Sequence, residues 1–220
     1  MGLKVLVTGG SRGIGKAVVD ELSRRGGYEI IAPTRDELDL DSKESIENFL
    51  HGLPPVNALI NVAGMNVLKA LEDIDDEVLQ SMLNVNLIAP LKLIQGVAAG
   101  MKKLNGGKIV SFSSIWGMRS KEFRTMYSMG KFGVRGFTAA LARELGPDNI
   151  LINTIAPGYV LTRMTEQNVP EEERKKICSE IPLRRMAQPE EIAKAAVFLI
   201  SEENSYITGQ TIVADGGFLA

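Results

Sequence analysis

Six short apolar runs punctuate this chain, each closing on glycine, proline, serine or a Gly-rich turn: KVLVTG, EIIAP, NALINVAG, KIVSFSS, LINTIAPG and TIVADGG. Their brevity and their β-branched content read as strands. Longer segments between them carry apolar residues at three- and four-residue spacing, as at Val18 and Leu22, or Phe137, Ala140, Leu141 and Leu145, and read as helices. A strand that is apolar on both faces must be covered on both sides, and parallel neighbours need a crossover connection. The pattern therefore predicts a doubly wound parallel α/β sheet. No repeat, low-complexity segment or linker divides the 220 residues, so one domain spanning 1–220 is expected, with a polar flap around 159–185.

Composition narrows the function classes. A formal net charge of -2 leaves no excess of cations for a polyanion, so nucleic acid is not an expected partner. The single cysteine, Cys178, cannot form an internal disulfide, and the chain opens on a strand; a cytoplasmic location is expected. No uninterrupted apolar run approaches the roughly 20 residues of a membrane span, so no membrane partner is expected. No cluster of His, Cys, Asp and Glu has metal-ligand spacing, and no metal is expected.

The first strand runs into GSRGIG and then a helix, which sets Gly9, Gly13 and Gly15 in a T-G-x-x-x-G-x-G pattern. Glycines there let backbone approach a pyrophosphate at a helix N-terminus. On its own, such a pattern also fits a plain tight turn.

Further motifs follow in order: NVAG at Asn61 to Gly64, NVNL around Asn86, Ser114, Y-S-M-G-K from Tyr127 to Lys131, APG at Ala156 to Gly158, and YITGQTIVADGG. Together they resemble the single-domain short-chain dehydrogenases/reductases, and especially the 3-oxoacyl-acyl-carrier-protein reductases, over nearly the whole chain. The resemblance implies a Rossmann-type fold and an NAD(P)(H)-dependent oxidoreductase acting on a ketone or secondary alcohol. The substrate would be a small molecule or an acyl-carrier-bound carbonyl compound, with a sugar, sugar acid or small keto acid as the alternative. A non-catalytic dinucleotide sensor is a further alternative, although it has no use for a Ser, Tyr and Lys set. Cofactor contacts are implied for Gly9, Ser11, Arg12, Gly13, Ile14 and Gly15, then for Asn61, Ala63 and Gly64. Pro157, Gly158, Val160 and Thr162 are implied at the nicotinamide end. Thr162 suits either the carboxamide or the cap of the next helix.

Two departures stand out. Val62 replaces the second Asn of the family's N-N-A-G. Only Thr34 to Leu38 separate EIIAP from DLDS, too few for a parallel crossover, so the family's third strand and the helix before it are expected to be missing or reduced to a short piece leading to Asp39. By resemblance Asp39 contacts adenine, with Leu40 beside the ring.

Arg12 and Arg35 stand where similar enzymes bind the 2'-phosphate of NADP, and a guanidinium suits a phosphate. Asp36 lies about 20 residues past Gly15, where an acid would instead hold the ribose of NAD. NADP is the favoured expectation, with NAD open.

Tyr127 and Lys131, four residues apart on an expected helix, share one face. A free tyrosine titrates near 10, and an adjacent ammonium favours the phenolate. Ser114, at the end of its strand, can hold the carbonyl oxygen while Tyr127 transfers the proton. Alternation turns neighbouring Ser113 to the opposite face. The resemblance adds Lys131 as a ribose ligand and Asn86 as the holder of a proton-relaying water. Arg119, Lys121 and Arg124 fall in the substrate-facing segment; they face either the pocket or solvent. Similar enzymes are tetramers of two-fold symmetry, so a homotetramer is expected, with the apolar tail Phe218-Leu219-Ala220 crossing to another subunit.

Overall fold

A computed structural model describes residues 2–220, with the side chains of Met164, Gln167 and Asn168 outside the description. Strand β1 (Leu3–Thr8) leads through the glycine loop into α1 (Gly13–Arg25) and then β2 (Tyr28–Ile31). Helix α2 (Lys43–Gly52) precedes β3 (Ala58–Asn61). Next come α3 (Asp76–Leu83), a π-helical turn (Asn84–Ile88) and α4 (Ala89–Lys103), then β4 (Gly107–Phe112). Helix α5 (Thr125–Leu145) leads to β5 (Ile150–Pro157), and α6 (Arg163–Asn168), α7 (Glu171–Glu180) and α8 (Pro189–Ile200) precede β6 (Thr211–Ala214).

All six strands pair in parallel, in the order β2-β1-β3-β4-β5-β6. Side chains alternate across the sheet as pleating requires. Val5, Val7, Ile60 and Val110 face α1 and α8, where Val18, Leu22, Ala193 and Val197 complete one core. Leu6, Leu59, Ile109 and Ile152 face the other way and pack with Ile46, Leu93, Ile94 and Met101 of α2 and α4. The chain is thus a single-domain, doubly wound α/β fold of Rossmann type.

The expected loss of one strand and its helix is what the sheet shows. After β2 the chain runs through residues 32–42 without forming a strand, and β2 is the edge. The LDLDS segment has a different use: Leu38 is buried in the second core, Leu40 packs beside it, and Ser42 caps α2 by accepting the Ser45 N–H.

The helical stretch Asp76–Lys103 is continuous over 28 residues and apolar enough to span a bilayer by composition. Here it is a core helix: Met82, Leu93, Ile94 and Met101 are almost fully buried. Strand order reverses between β1 and β3, which opens a crevice at their C-terminal ends, the usual place for a ligand in such sheets.

Candidate active site

Two loops meet at that crevice. Gly9 has a left-handed φ of 70°, and a Cβ built there would lie 2.9 Å from Cα of Ala63. A Cβ on Gly15 would fall 2.0 Å from the Gly9 carbonyl oxygen, so the loop closes on the helix only because this position is bare. Arg12, the N-cap of α1, makes no side-chain capping bond, and the first turn holds no acid. Free amides at an uncapped N-terminus suit an anion. Ser11 and Arg12 are exposed at this rim, while Ile14 packs inward on the first core. The observed geometry fits a dinucleotide: a bare backbone cradle and a helix N-terminus at the switch point.

Farther along the crevice, Arg35 is 81% exposed and lies 3.7 Å from a carboxylate oxygen of Asp39. Asp39 is further engaged by its own neighbourhood, its N–H donating to Ser45 Oγ (2.9 Å) and its Oδ1 accepting the Asp41 N–H (3.0 Å). Asp36 is exposed. Asn61, the last residue of β3, is buried; its amide donates to the Pro90 carbonyl (3.3 Å), and its Oδ1 has no partner among the described residues.

At the C-terminal end of β4, the two serines separate as alternation requires. Ser113 donates to the backbone carbonyl of Lys131 (2.7 Å), tying the strand to α5. Ser114 is extended, and its Oγ accepts the Trp116 N–H (3.2 Å) at the start of a short turn. Lys131 is buried, donates to the Phe112 carbonyl (2.8 Å) and sits 5.5 Å from the centroid of the Tyr127 ring. Burial lowers its pKa to about 8, which leaves the ammonium the main form at neutral pH.

The Tyr127 phenol feels desolvation as well as the nearby ammonium. Burial pushes its pKa up, opposed by hydrogen bonding with Ser114 and by the positive charge of Arg124. Desolvation of the charged form outweighs both. A protonated phenol is the form that can donate to a carbonyl oxygen.

Asn86 lies in the π-helical turn, an irregularity often found at functional sites. Its side chain clamps one peptide unit pair: Nδ2 donates to the Met65 carbonyl (2.9 Å), and Oδ1 accepts the Met65 N–H (3.2 Å). Residue 90, the α-helical donor to the Asn86 carbonyl, is proline and has no N–H to give. A Cβ on Gly64 would meet Asn86 Oδ1 at 3.0 Å and Lys131 Nζ at 3.4 Å. The NVAG loop, the π turn and α5 therefore converge on one spot.

On the far side, Pro157 ends β5 and Gly158 lies against Asp215, where a Cβ would come within 2.7 Å of Cα. Val160 is buried and bridges to Ala187. Thr162 caps α6 by accepting the Thr165 N–H (3.3 Å), and its methyl lies 3.6 Å from where a Gly13 Cβ would be. The cap is thus the role of Thr162 seen in the structure, and it sets the residue beside the glycine loop.

Sequence reasoning missed an aromatic trio. Trp116, Tyr159 and Phe218 meet edge to face with centroids 5.5 to 6.5 Å apart. No periodicity links residues so distant along the chain. Within the chain, Phe218 of the tail packs beneath the Arg119 guanidinium at 4.6 Å.

The family described as Enoyl-(Acyl carrier protein) reductase matches residues 1–219. A 3-oxoacyl-[acyl-carrier-protein] reductase, FabG of Pseudomonas aeruginosa, is 36% identical over 240 aligned positions, covering 98% of this chain and 97% of the relative. That alignment is longer than the chain itself, as expected when the relative carries segments missing here. The structure of a 4-hydroxyisoleucine dehydrogenase complexed with NADH matches with a TM-score of 0.91 at 27% identity, covering 98% of each chain. A candidate NAD(P)-dependent gluconate 5-dehydrogenase from Beutenbergia cavernae, solved with NADP at low occupancy, matches with a TM-score of 0.88 at 29% identity, over 99% of this chain and 97% of the other. From glycine loop to C-terminal strand, the chain belongs to the short-chain dehydrogenase/reductase family of oxidoreductases.

Proposed function

We propose that this protein reduces a ketone, or oxidises the matching secondary alcohol, with NADP(H) as hydride carrier. The observation that carries the reading is the meeting of Ser114, Tyr127 and Lys131 beside the glycine cradle. The nicotinamide supplies or accepts the hydride. Ser114 holds the carbonyl oxygen, and the Tyr127 phenol delivers the proton as negative charge builds there. Lys131, held by the Phe112 carbonyl, positions its ammonium beside Tyr127 and within reach of a cofactor ribose. Asn86, whose carbonyl can receive no N–H from Pro90, is the residue to hold a water that replaces the proton. The segment around 159–185 covers the substrate. Within it, Ile177 and Cys178 of α7 pack with Tyr159, Leu161, Ile181 and Met186 in a small core of their own.

Arg12 and Arg35 support NADP over NAD, with Gly9, Ser11, Gly13, Ile14 and Gly15 cradling the pyrophosphate. Asp39 and Leu40 line the adenine end, Asn61, Ala63 and Gly64 the adjoining ribose, and Pro157, Gly158, Val160 and Thr162 the nicotinamide. The Arg35–Asp39 pair is a solvated contact of little energetic weight, so Arg35 can be recruited by a phosphate at small cost. Mixing the purified protein with NADPH or NADH and a panel of ketones tests the reading. Consumption of NADPH in preference to NADH is expected. Arg35→Ala should weaken NADPH roughly tenfold or more and leave NADH nearly unchanged. Binding without turnover would point to a sensor, and preference for NADH would transfer the ribose contact to Asp36.

The acyl-carrier reductase relative makes a carrier-bound 3-oxoacyl group one substrate class to test. The solved neighbours named for a hydroxylated amino acid and a sugar acid favour a second, a small oxo or hydroxy acid.

We also infer a homotetramer within the cytoplasm. Ile88, Leu91, Met129 and Phe132 leave apolar surface exposed where the π turn, α4 and α5 meet, and a two-fold axis would cover it. Light scattering at micromolar concentration is expected to give four times the 23.9 kDa chain mass; a single chain mass would refute it.

A further inference from the structure

The wall beside the Ser114 and Tyr127 pair carries positive charge that the proton transfer does not need. Arg119, Lys121 and Arg124 place their cationic groups 6.0, 5.9 and 4.9 Å from the centroid of one buried ring, Trp116. None of the three joins a salt bridge among the described residues, and Glu122, exposed in the same segment, reaches none of them. Arg119 and Lys121 are themselves exposed and need no counterion.

Arg124 is different. It is only partly exposed, and its Nε is buried with no hydrogen-bond partner among the described residues. A buried guanidinium N–H left without an acceptor is unfavourable, and a native structure rarely keeps one without a use. The backbone that presents it is strained: Phe123 takes a left-handed φ of 63°, uncommon for a bulky residue, while its carbonyl accepts the Lys69 N–H at 3.3 Å. Arg124 also precedes Tyr127 by three residues, which sets both on one side of the helix start. Its guanidinium lies 4.9 Å from the Trp116 centroid, and its charge bears on the phenols of both Tyr127 and Tyr159.

We infer that Arg124 binds the carboxylate of a small oxo or hydroxy acid and thereby sets the acid's carbonyl against Ser114 and Tyr127, an inference that rests on the hydride-transfer reading above. The guanidinium fork matches a carboxylate, and a partly covered site strengthens the pairing relative to open water. Trp116, Tyr159 and Phe218 give the acid's carbon chain an apolar surface. A thioester carbonyl could accept one hydrogen bond from Arg124, but it carries no charge to pair with the guanidinium and no second oxygen for its fork.

The experiment compares 2-oxobutanoate and 3-oxobutanoate with their methyl esters, using parent, Arg124→Gln and Arg124→Lys, each first shown to melt as the parent does. For at least one acid the parent should show a kcat/KM about tenfold or more above that of its ester, chiefly through KM. Arg124→Gln should lower the acid's value at least about tenfold more than the ester's, and Arg124→Lys should recover part of the difference. Equal values for acids and esters in the parent, or equal losses for both in Arg124→Gln, would overturn the inference. Should neither acid nor ester be reduced, hydride transfer to these compounds fails, and binding still decides the role of Arg124. Acids that quench the fluorescence of enzyme-bound NADPH more tightly than their esters, and lose that advantage in Arg124→Gln, support it; equal binding overturns it.

Discussion

Tyr127→Phe is expected to cut turnover by at least about 100-fold while leaving NADPH affinity within about threefold of the parent. The substitution removes one oxygen and keeps the ring that lies 5.5 Å from Lys131 Nζ. Ser114 can still hold a carbonyl oxygen: it loses its hydrogen bond with the phenol but keeps the one from the Trp116 N–H. What is lost is the proton. Steady-state kinetics beside a cofactor titration separate the two effects. Turnover within threefold of the parent would remove Tyr127 from the chemistry.

Gly15→Ala should damage both stability and cofactor binding. The added Cβ would meet the Gly9 carbonyl oxygen at 2.0 Å and its carbon at 2.7 Å, and both atoms are backbone, so no rotamer relieves the clash. Either the loop lifts off α1 or the helix start unwinds. Overpacking of this kind costs about 1–3 kcal/mol, which in a chain of this size lowers Tm by roughly 2–12 °C. Displacement of the pyrophosphate cradle should weaken NADPH at least about tenfold. Gly52, at the end of α2, has open space where its Cβ would stand, so Gly52→Ala is the matching control and should bind NADPH as the parent does. Melting curves and fluorescence titration read both quantities. A Gly15→Ala protein with parental Tm and affinity would show that the loop does not hold the cofactor.

Much of the fold is legible from local pattern. Apolar runs marked all six strands, and alternation along KIVSFSS correctly parted Ser113 from Ser114, because pleating is a short-range rule. The missing strand was visible for a similar reason: five residues cannot cross a sheet. The contribution of Leu38 to the core was not visible, since a turn residue is buried only through what α2 and α4 bring to it. The site was legible where chemistry follows spacing along one helix, as with Tyr127 and Lys131. It was not where distant segments meet, as with Trp116, Tyr159 and Phe218, or where direction decides, as with Arg124. The burial that acts on the Tyr127 phenol was not legible either, because the ammonium is visible in the motif and the desolvation is not.

Direct transfer of hydride from the nicotinamide to a carbonyl carbon is the central claim, and isotope tracing tests it most directly. The purified protein is incubated with a reducible ketone and NADPH bearing deuterium in place of both hydrogens at nicotinamide C4, and the product is analysed by mass spectrometry. The expected alcohol carries a deuterium on its carbinol carbon and an exchangeable hydrogen on its oxygen, and Tyr127→Phe forms it far more slowly. Alcohol without deuterium at that carbon, or cofactor returned unoxidised across the ketone panel, would contradict the account.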